Sequence, residues 1–323
     1  MLRPAISNYG QLAMAGNFIL AKGTKGLQRM FDFNSLDDFI AKGPRFSRSD
    51  VVALILAEDF FQLDQTIAHH MQLGFDHCIV ISRSALGDCG QSQDVMTTVY
   101  HDIFAQNALA DVVNRCMPLF DGGWVMTCYN GEFLYFPFCE TRSIADVTQF
   151  VMQEQRSSIP VVVVDAYPAQ MPKAGFDVTG QTPMTQDAFI DSIGYHATAR
   201  WNMYQGCAYE RQLDMFGGLK WRFCEYVPYE RRRIDRVALF QARSGLVMVD
   251  DFNFADQEYN TYQGQYHNSL RAAIVSYRTA KSLSQNPASR SEITQFSWDH
   301  SVPWTRRSQQ LLDLGLIEAG QWF

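Results

Sequence analysis

What this sequence lacks narrows its possible functions first. None of its apolar runs approaches the roughly 20 residues needed to cross a bilayer. The mildly apolar stretch QLAMAGNFILA is interrupted by Gln11 and Asn17. It has no cationic region and no small-residue cleavage site, so it does not read as a signal peptide. Positive charge is scarce: 27 Lys and Arg face 34 Asp and Glu, for a net charge of −7. That argues against broad nucleic-acid binding while leaving room for a local basic pocket. The seven Cys, at 78, 89, 116, 128, 139, 207 and 224, include no C-x-x-C pair, so a zinc site is not expected. Most sit in apolar runs and read as reduced core thiols of a cytoplasmic protein. There is no Walker A loop and no G-x-G-x-x-G, which removes support for a P-loop ATPase or a Rossmann dehydrogenase.

What is present is ordinary globular material, 47% hydrophobic and 13% aromatic, enough for one large α/β domain or for two domains. Residues 1–48 read as an N-terminal appendage with one short helix, SLDDFIAK, capped by Ser35. Next comes a βαβ unit. DVVALILAED is a strand buried on both faces, FFQLDQTIAHHMQLGF a helix closed by Gly74, and HCIVIS a second strand. Residues 94–118 read as helix, WVMTCY as a strand, SIADVTQFVMQE as a helix capped by Ser143, and IPVVVVDAYP as a strongly buried strand. This alternation predicts a doubly wound, mostly parallel sheet flanked by helices, with residues 49–170 as its regular half. Residues 171–323 are less regular. VALFQ and GLVMVDDF read as strands, DQEYNTYQGQYHNSLRAAIVSYRTAKSL as a long helix or a helix pair broken at Gly264, and TRRSQQLLDLGLIEAG as an amphipathic helix.

In open α/β sheets ligands bind beyond the carboxyl ends of the strands. There the sequence places Glu58 and Asp59; Ser82, Arg83, Ser84 and Asp88; Tyr129, Asn130 and Glu132; and Asp165 and Tyr167. Such a rim suits a nucleotide, with an acid for ribose hydroxyls and Ser and Arg for phosphate. WVMTCYNGEFLYFP reads locally as a β-hairpin turning at Asn130-Gly131.

The order of these segments resembles the family 2-like bacterial glycosyltransferases of GT-A fold, over about residues 50–315. In LAEDFFQLDQTIAHHMQLGFDHCIVIS, Glu58 matches the family's Glu, Ala57 replaces its Asn, and His70 matches its helix His. SRSALGD stands for a loop rich in Asp and Ser, with Asp88 displaced. In YNGEFL, Tyr129 and Gly131 occupy the places of the two aspartates of D-x-D-E-F-L, while Glu132, Phe133 and Leu134 match. Asp250 and Asp251 stand where the family often has a His.

The resemblance implies transfer of a sugar from a nucleotide-sugar donor to a glycan or surface polysaccharide, with inversion at the anomeric centre. It implies a divalent cation, Mn²⁺ or Mg²⁺, on the donor diphosphate, with Glu132 as the remaining metal ligand and Asp165 and Glu132 as the acids at work. Glu58, Arg83, Ser84, Asp88 and Tyr129 fall to the nucleotide.

A lone carboxylate is a poor site for a hard cation. The alternatives are therefore no metal at all, with Arg231 and Arg233 of the run ERRRIDR gripping the diphosphate or meeting a lipid headgroup peripherally, or a catalytically inactive binding or assembly subunit. A nucleotidyltransferase would need a Gly-rich phosphate loop after the first strand, which AEDFF does not supply. Blander readings stand beside these: a solvent-facing hairpin acid at Glu132, a helix-terminal acid at Glu58, a strand-end acid at Asp165, and a packed His70. The Arg run then becomes a solvated face, and Trp298, Asp299, His300 and Trp304 a packed tail rather than a sugar platform.

Overall fold

A computed structural model describes residues 19–23, 26–86, 96–180, 187–250, 252–264 and 268–322. The chain begins with two antiparallel strands, β1 (Ile19–Gly23) and β2 (Gly26–Phe33). Helix α1 (Leu36–Lys42) follows, with the Ser35 hydroxyl accepting from the Asp38 N–H at 3.0 Å. Next is the expected βαβ unit. Strand β3 (Val51–Ala57) is buried at all seven positions, as its unbroken aliphatic run requires. Helix α2 (Leu63–Gln72) returns the chain to β4 (His77–Ser82), parallel to β3.

The next segment departs from the sequence reading. Residues 94–118 are not one helix: Met96–Tyr100 forms strand β5, and helix α3 (Ala108–Cys116) begins only after Asn107, at φ 57°. MTTVY carries two Thr and a Val, which suit a pleated, buried strand better than a helix. β5 lies between β2 and β4 and is parallel to both.

Strand β6 (Trp124–Tyr129) and strand β7 (Glu132–Tyr135) form where expected, but not as a hairpin. β6 pairs with β3, whereas β7 crosses to the far edge of the sheet. Asn130-Gly131 is therefore a crossing point and not a hairpin turn. Helix α4 (Ile144–Gln153) has a full capping box between Ser143 and Asp146, and β8 (Ser158–Asp165) is the VVVV strand.

The second half supplies β9 (Phe189–Asp191), the hairpin of β10 (His196–Asn202) and β11 (Cys207–Phe216), and the short helix α5 (Gly218–Arg222). Strand β12 (Asp235–Gln241) matches VALFQ, but of GLVMVDDF only Met248–Asp250 forms strand β13, paired with β14 (Asn253–Phe254). The long helix predicted from 256 onward is replaced by strand β15 (Ala272–Ser276) and helix α6 (Arg278–Gln285). Here tertiary context overrides propensity, because Ala272 to Ser276 are buried side by side between two neighbouring strands. Helix α7 (Pro287–Glu292), strand β16 (Ser301–Pro303) and helix α8 (Ser308–Asp313) complete the chain.

Ten strands form one sheet in the order β1-β2-β5-β4-β3-β6-β12-β8-β15-β7. Strands β2, β5, β4, β3, β6, β8 and β15 run one way, and β1, β12 and β7 run against them. The result is a mixed α/β fold with a large, mostly parallel sheet flanked by helices. Strand β2, from the segment read as an appendage, joins this sheet, and β12 and β15 insert among strands of the first half. The winding proceeds from β3 outward to β4 and β5, then returns to lay β6 on β3's other side. The strand order therefore reverses between β3 and β6. No helix among the described residues is long and apolar enough to cross a membrane.

Candidate functional site

At such a reversal, here at the carboxyl ends of β3 and β6, open α/β sheets have the crevice that takes their ligands. Asn130 braces it. Its backbone N–H donates to the Leu56 carbonyl at 3.2 Å, and its side-chain amide donates to Asp59 at 2.7 Å and to the Phe61 carbonyl at 2.9 Å. Its own Oδ1 accepts from the Glu58 N–H at 2.9 Å. Gly131 follows at φ 75°, a conformation that favours glycine, and its N–H donates to Thr66 Oγ1.

Around this brace runs a chain of charges. Arg278, at the start of α6, grips Glu58 through Nε at 3.1 Å to both carboxylate oxygens and through Nη2 at 2.7 Å. Its guanidinium lies 3.7 Å from the centroid of the Tyr129 ring, a stacking arrangement worth about 1 kcal/mol. Lys281, one turn along, bonds Asp59 at 2.8 Å and lies 3.6 Å from Glu58. Burial pushes the Glu58 carboxyl up, but Arg278 and then Lys281 outweigh it and hold it below its ordinary value. Burial likewise opposes the charge on Arg278, yet Tyr129 and Glu58 more than compensate, so the guanidinium stays charged.

Glu132 is fully buried, not solvent-facing. It accepts from Arg236 Nη1 at 2.8 and 3.0 Å, from the Tyr129 N–H at 2.9 Å and from the Ser276 hydroxyl at 3.1 Å. Sheet register sets this up: Ser276 of β15 stands opposite Glu132 on one side and Asp165 on the other. The Ser276 hydroxyl in turn accepts from the Arg278 N–H at 3.2 Å, linking the two ion pairs.

Asp165 is 1% exposed and lies beneath α5. Its Oδ2 accepts from the Leu219 N–H at 2.8 Å, and a Cβ on Gly218 would lie 2.6 Å from the same oxygen, so only glycine fits there. Its Oδ1 is buried without a hydrogen-bond partner. Burial raises its pKa, against the opposing pull of Lys220. Lys220 donates one hydrogen bond, to the Arg233 carbonyl at 3.1 Å. Its pKa is pushed down to about 8, by burial first and then by the charges of Arg236 and Arg278, with Asp165 and Glu132 opposing.

The other sequence candidates fall elsewhere. Arg83 and Ser84 are exposed in the loop after β4, where the Ser84 N–H donates to Ser82 Oγ; Asp88 and Asp251 lie outside the described residues. Arg233 is held by Asp214 at 3.1 Å and by Asp235, Arg232 donates to the carbonyls of Val227 and Cys224, and Arg231 is exposed. The three do not converge on one point. His70 is buried, and its Nδ1–H donates to the Thr66 carbonyl at 2.8 Å. Burial pushes its pKa down to about 3, so it is a neutral packing residue. Trp304 is buried among Phe133, Tyr135 and Tyr277. Trp298 donates to the buried Asp191 at 2.7 Å; Tyr167 and Arg222 bond the same carboxylate. A separate concavity of about 440 Å³, lined in part by His101, Asp102 and Asn114, opens after β5 and shares no residue with the charge chain.

Arg278, Lys281, Ser276 and Lys220 were not foreseen, and Arg236 was read only as the last member of the ERRRIDR run. The signal for the first two was present: AAIVS is a continuous apolar run ending in polar SYRTAK, which is how a buried strand delivers residues to a sheet's carboxyl edge.

The residues present do not fit the divalent cation implied by the resemblance. Tyr129 and Gly131 offer no carboxylate, Glu132 is committed to Arg236, and the described residues contain no group of three or more His, Cys, Asp and Glu able to hold a metal ion. No protein-family model matches the chain, and no curated protein is significantly similar to it.

Proposed function

We propose that this chain is a GT-A-like protein that binds a nucleoside-diphosphate sugar in the β3/β6 crevice without a divalent cation, for transfer to a glycan or surface polysaccharide. One observation carries the reading. The Glu58–Arg278 pair, stacked on Tyr129, holds the most exposed side chain of the charge chain, Arg278 at 35%, and it sits where the strand order reverses. An acid there suits ribose hydroxyls, and a permanently charged, half-open guanidinium suits phosphate.

A second reading, a non-catalytic binding or assembly subunit, is favoured by a separate observation. Asp165 is roofed by Gly218 and Leu219, and Glu132 is enclosed by Arg236, so neither acid faces an acceptor.

Calorimetric titration with nucleoside diphosphates and nucleotide sugars, in Mn²⁺ and in EDTA, tests binding. Release of free nucleotide from a bound nucleotide sugar, with acceptor glycans present, tests turnover. The first reading expects EDTA-insensitive binding with turnover, and the second binding without it. No binding to any donor removes both.

A further inference from the structure

We propose that Lys220, Arg236 and Arg278 together form a diphosphate-binding cation cluster that takes the place of a divalent metal at this edge of the sheet; this rests on the nucleotide-sugar reading. Three elements, α5, β12 and α6, each anchor one cation's neighbourhood on a single row of the sheet: Arg236 bonds Glu132, the Arg278 N–H bonds Ser276, the residue before Lys220 bonds Asp165 through its N–H, and Ser276 stands opposite both acids. Two of them are fixed in place but keep donors to spare. Arg236 gives only Nη1 to Glu132, and Arg278 gives Nε and Nη2 to Glu58. Among the described residues, Arg236 Nη2 and Arg278 Nη1 have no hydrogen-bond partner. The third cation, Lys220, has no ion pair among the described residues, and one carbonyl takes one of its three N–H donors.

The electrostatics agree with this geometry. The charges that act on the Lys220 ammonium are those of Arg236 of β12, Arg278 of α6, Asp165 of β8 and Glu132 of β7. Both of those acids are otherwise occupied or have their ionisation opposed by burial, and the two guanidiniums repel the ammonium. A bound polyanion relieves that repulsion and supplies the missing acceptors. Neutralising a departing diphosphate is the work a metal would otherwise do here. Side-chain cations held by buried acids do it without recruiting an ion from solution.

The test is calorimetry in EDTA, at about pH 7 and about pH 9.5, with inorganic pyrophosphate and with a nucleoside diphosphate. The nucleoside diphosphate is the pH probe, since a terminal phosphate with a pKa near 6 is essentially fully ionised at both values. The expected result is binding in EDTA that weakens at least about tenfold between the two pH values, as Lys220 loses its proton. Lys220→Met should lower affinity about tenfold at pH 7 and flatten the pH profile, and Lys220→Arg should retain affinity at both. Should Lys220→Met fail to fold, the wild-type profile and Lys220→Arg decide. The cluster is overturned by a Lys220→Met protein that binds like wild type or by a flat wild-type profile, and either leaves the nucleotide-sugar reading standing; binding that requires Mn²⁺ overturns the cluster together with the metal-free form of that reading. Binding of pyrophosphate but of no nucleotide or nucleotide sugar supports the cluster and ends that reading, and binding of neither ends both.

Discussion

Two charge networks in this protein look alike on paper and differ in one respect. In the first, where β10–β11 meets β12, Arg200 and Arg233 interlock with Asp214 and Asp235, and Asn253, Gln212 and the Met215 N–H take up the remaining positions. In the second, at the β3/β6 crevice and along the edge beyond it, the acids are gripped equally well, but Lys220 lacks an ion pair among the described residues and Asp165 Oδ1 lacks a partner. A network that satisfies itself is scaffolding. One that leaves a cation without an ion pair has room for an anionic ligand, because natural structures rarely leave such groups unmatched.

The comparison can be sharpened by mutation, from the largest expected effect to the smallest. Arg236→Met leaves the buried Glu132 without its ion-pair partner and should cost about 3–5 kcal/mol in urea unfolding. The double change Glu132→Gln with Arg236→Met should recover much of that loss, which a simple cavity would not allow. Arg278→Met should weaken nucleoside-diphosphate binding about tenfold or more, whereas Arg233→Met should lower stability by about 1–3 kcal/mol and leave that affinity unchanged. Equal effects of the two on affinity would erase the distinction between the networks. Smallest of all, Arg231→Ala should move stability by less than about 0.5 kcal/mol and leave binding untouched, since its side chain is exposed.

A pH series separates the two kinds of acid within the crevice network. Asp165 has its pKa raised by burial above the ordinary 3.8. The native state therefore holds its proton more tightly than the unfolded chain, and stability falls as pH rises through the interval above 3.8. Asp165→Asn should be more stable than wild type near neutral pH, with the advantage vanishing below that value. Glu58 has the opposite sign. Its pKa is held below 4.5, so its contribution is present above 4.5 and lost as pH falls through the lowered native value. Urea midpoints across acidic pH check both, and parallel profiles for the Asn variant and wild type would reject the assignment for Asp165.

Much of the scaffold was legible from pattern alone. VVALILA, HCIVIS and VVVV are runs that only strands buried on both faces accommodate, and Ser35 and Ser143 marked their helix starts correctly. The failures share a cause. MTTVY and AAIVS were absorbed into neighbouring helical patterns because each strand is only five residues long, too few for a period of two to stand out. Asn130-Gly131 carries a strong hairpin signal, yet its flanking strands part company, since β6 finds a better-buried partner in β3 and β7 finds one in β15.

The candidate site was half legible. Glu58, Tyr129, Glu132 and Asp165 follow from the rule that strand ends carry chemistry. The cationic partners of Glu132 and Glu58 lie 104 and 220 residues away in the chain, and no local spacing links them.

The sequence by itself determined the α/β class, the doubly wound first half and the list of acids at the strand ends, because periodicity, propensity and strand burial are local properties of the chain. Tertiary structure alone decided that Glu132 is buried against Arg236, that Arg278 lies over Tyr129, that the ERRR run divides among separate partners, and that Lys220 stands without an ion pair among the described residues. The physical reason is that a charge is stabilised by whatever the folded chain places within a few ångströms of it. In this molecule those neighbours come from the far end of the sequence.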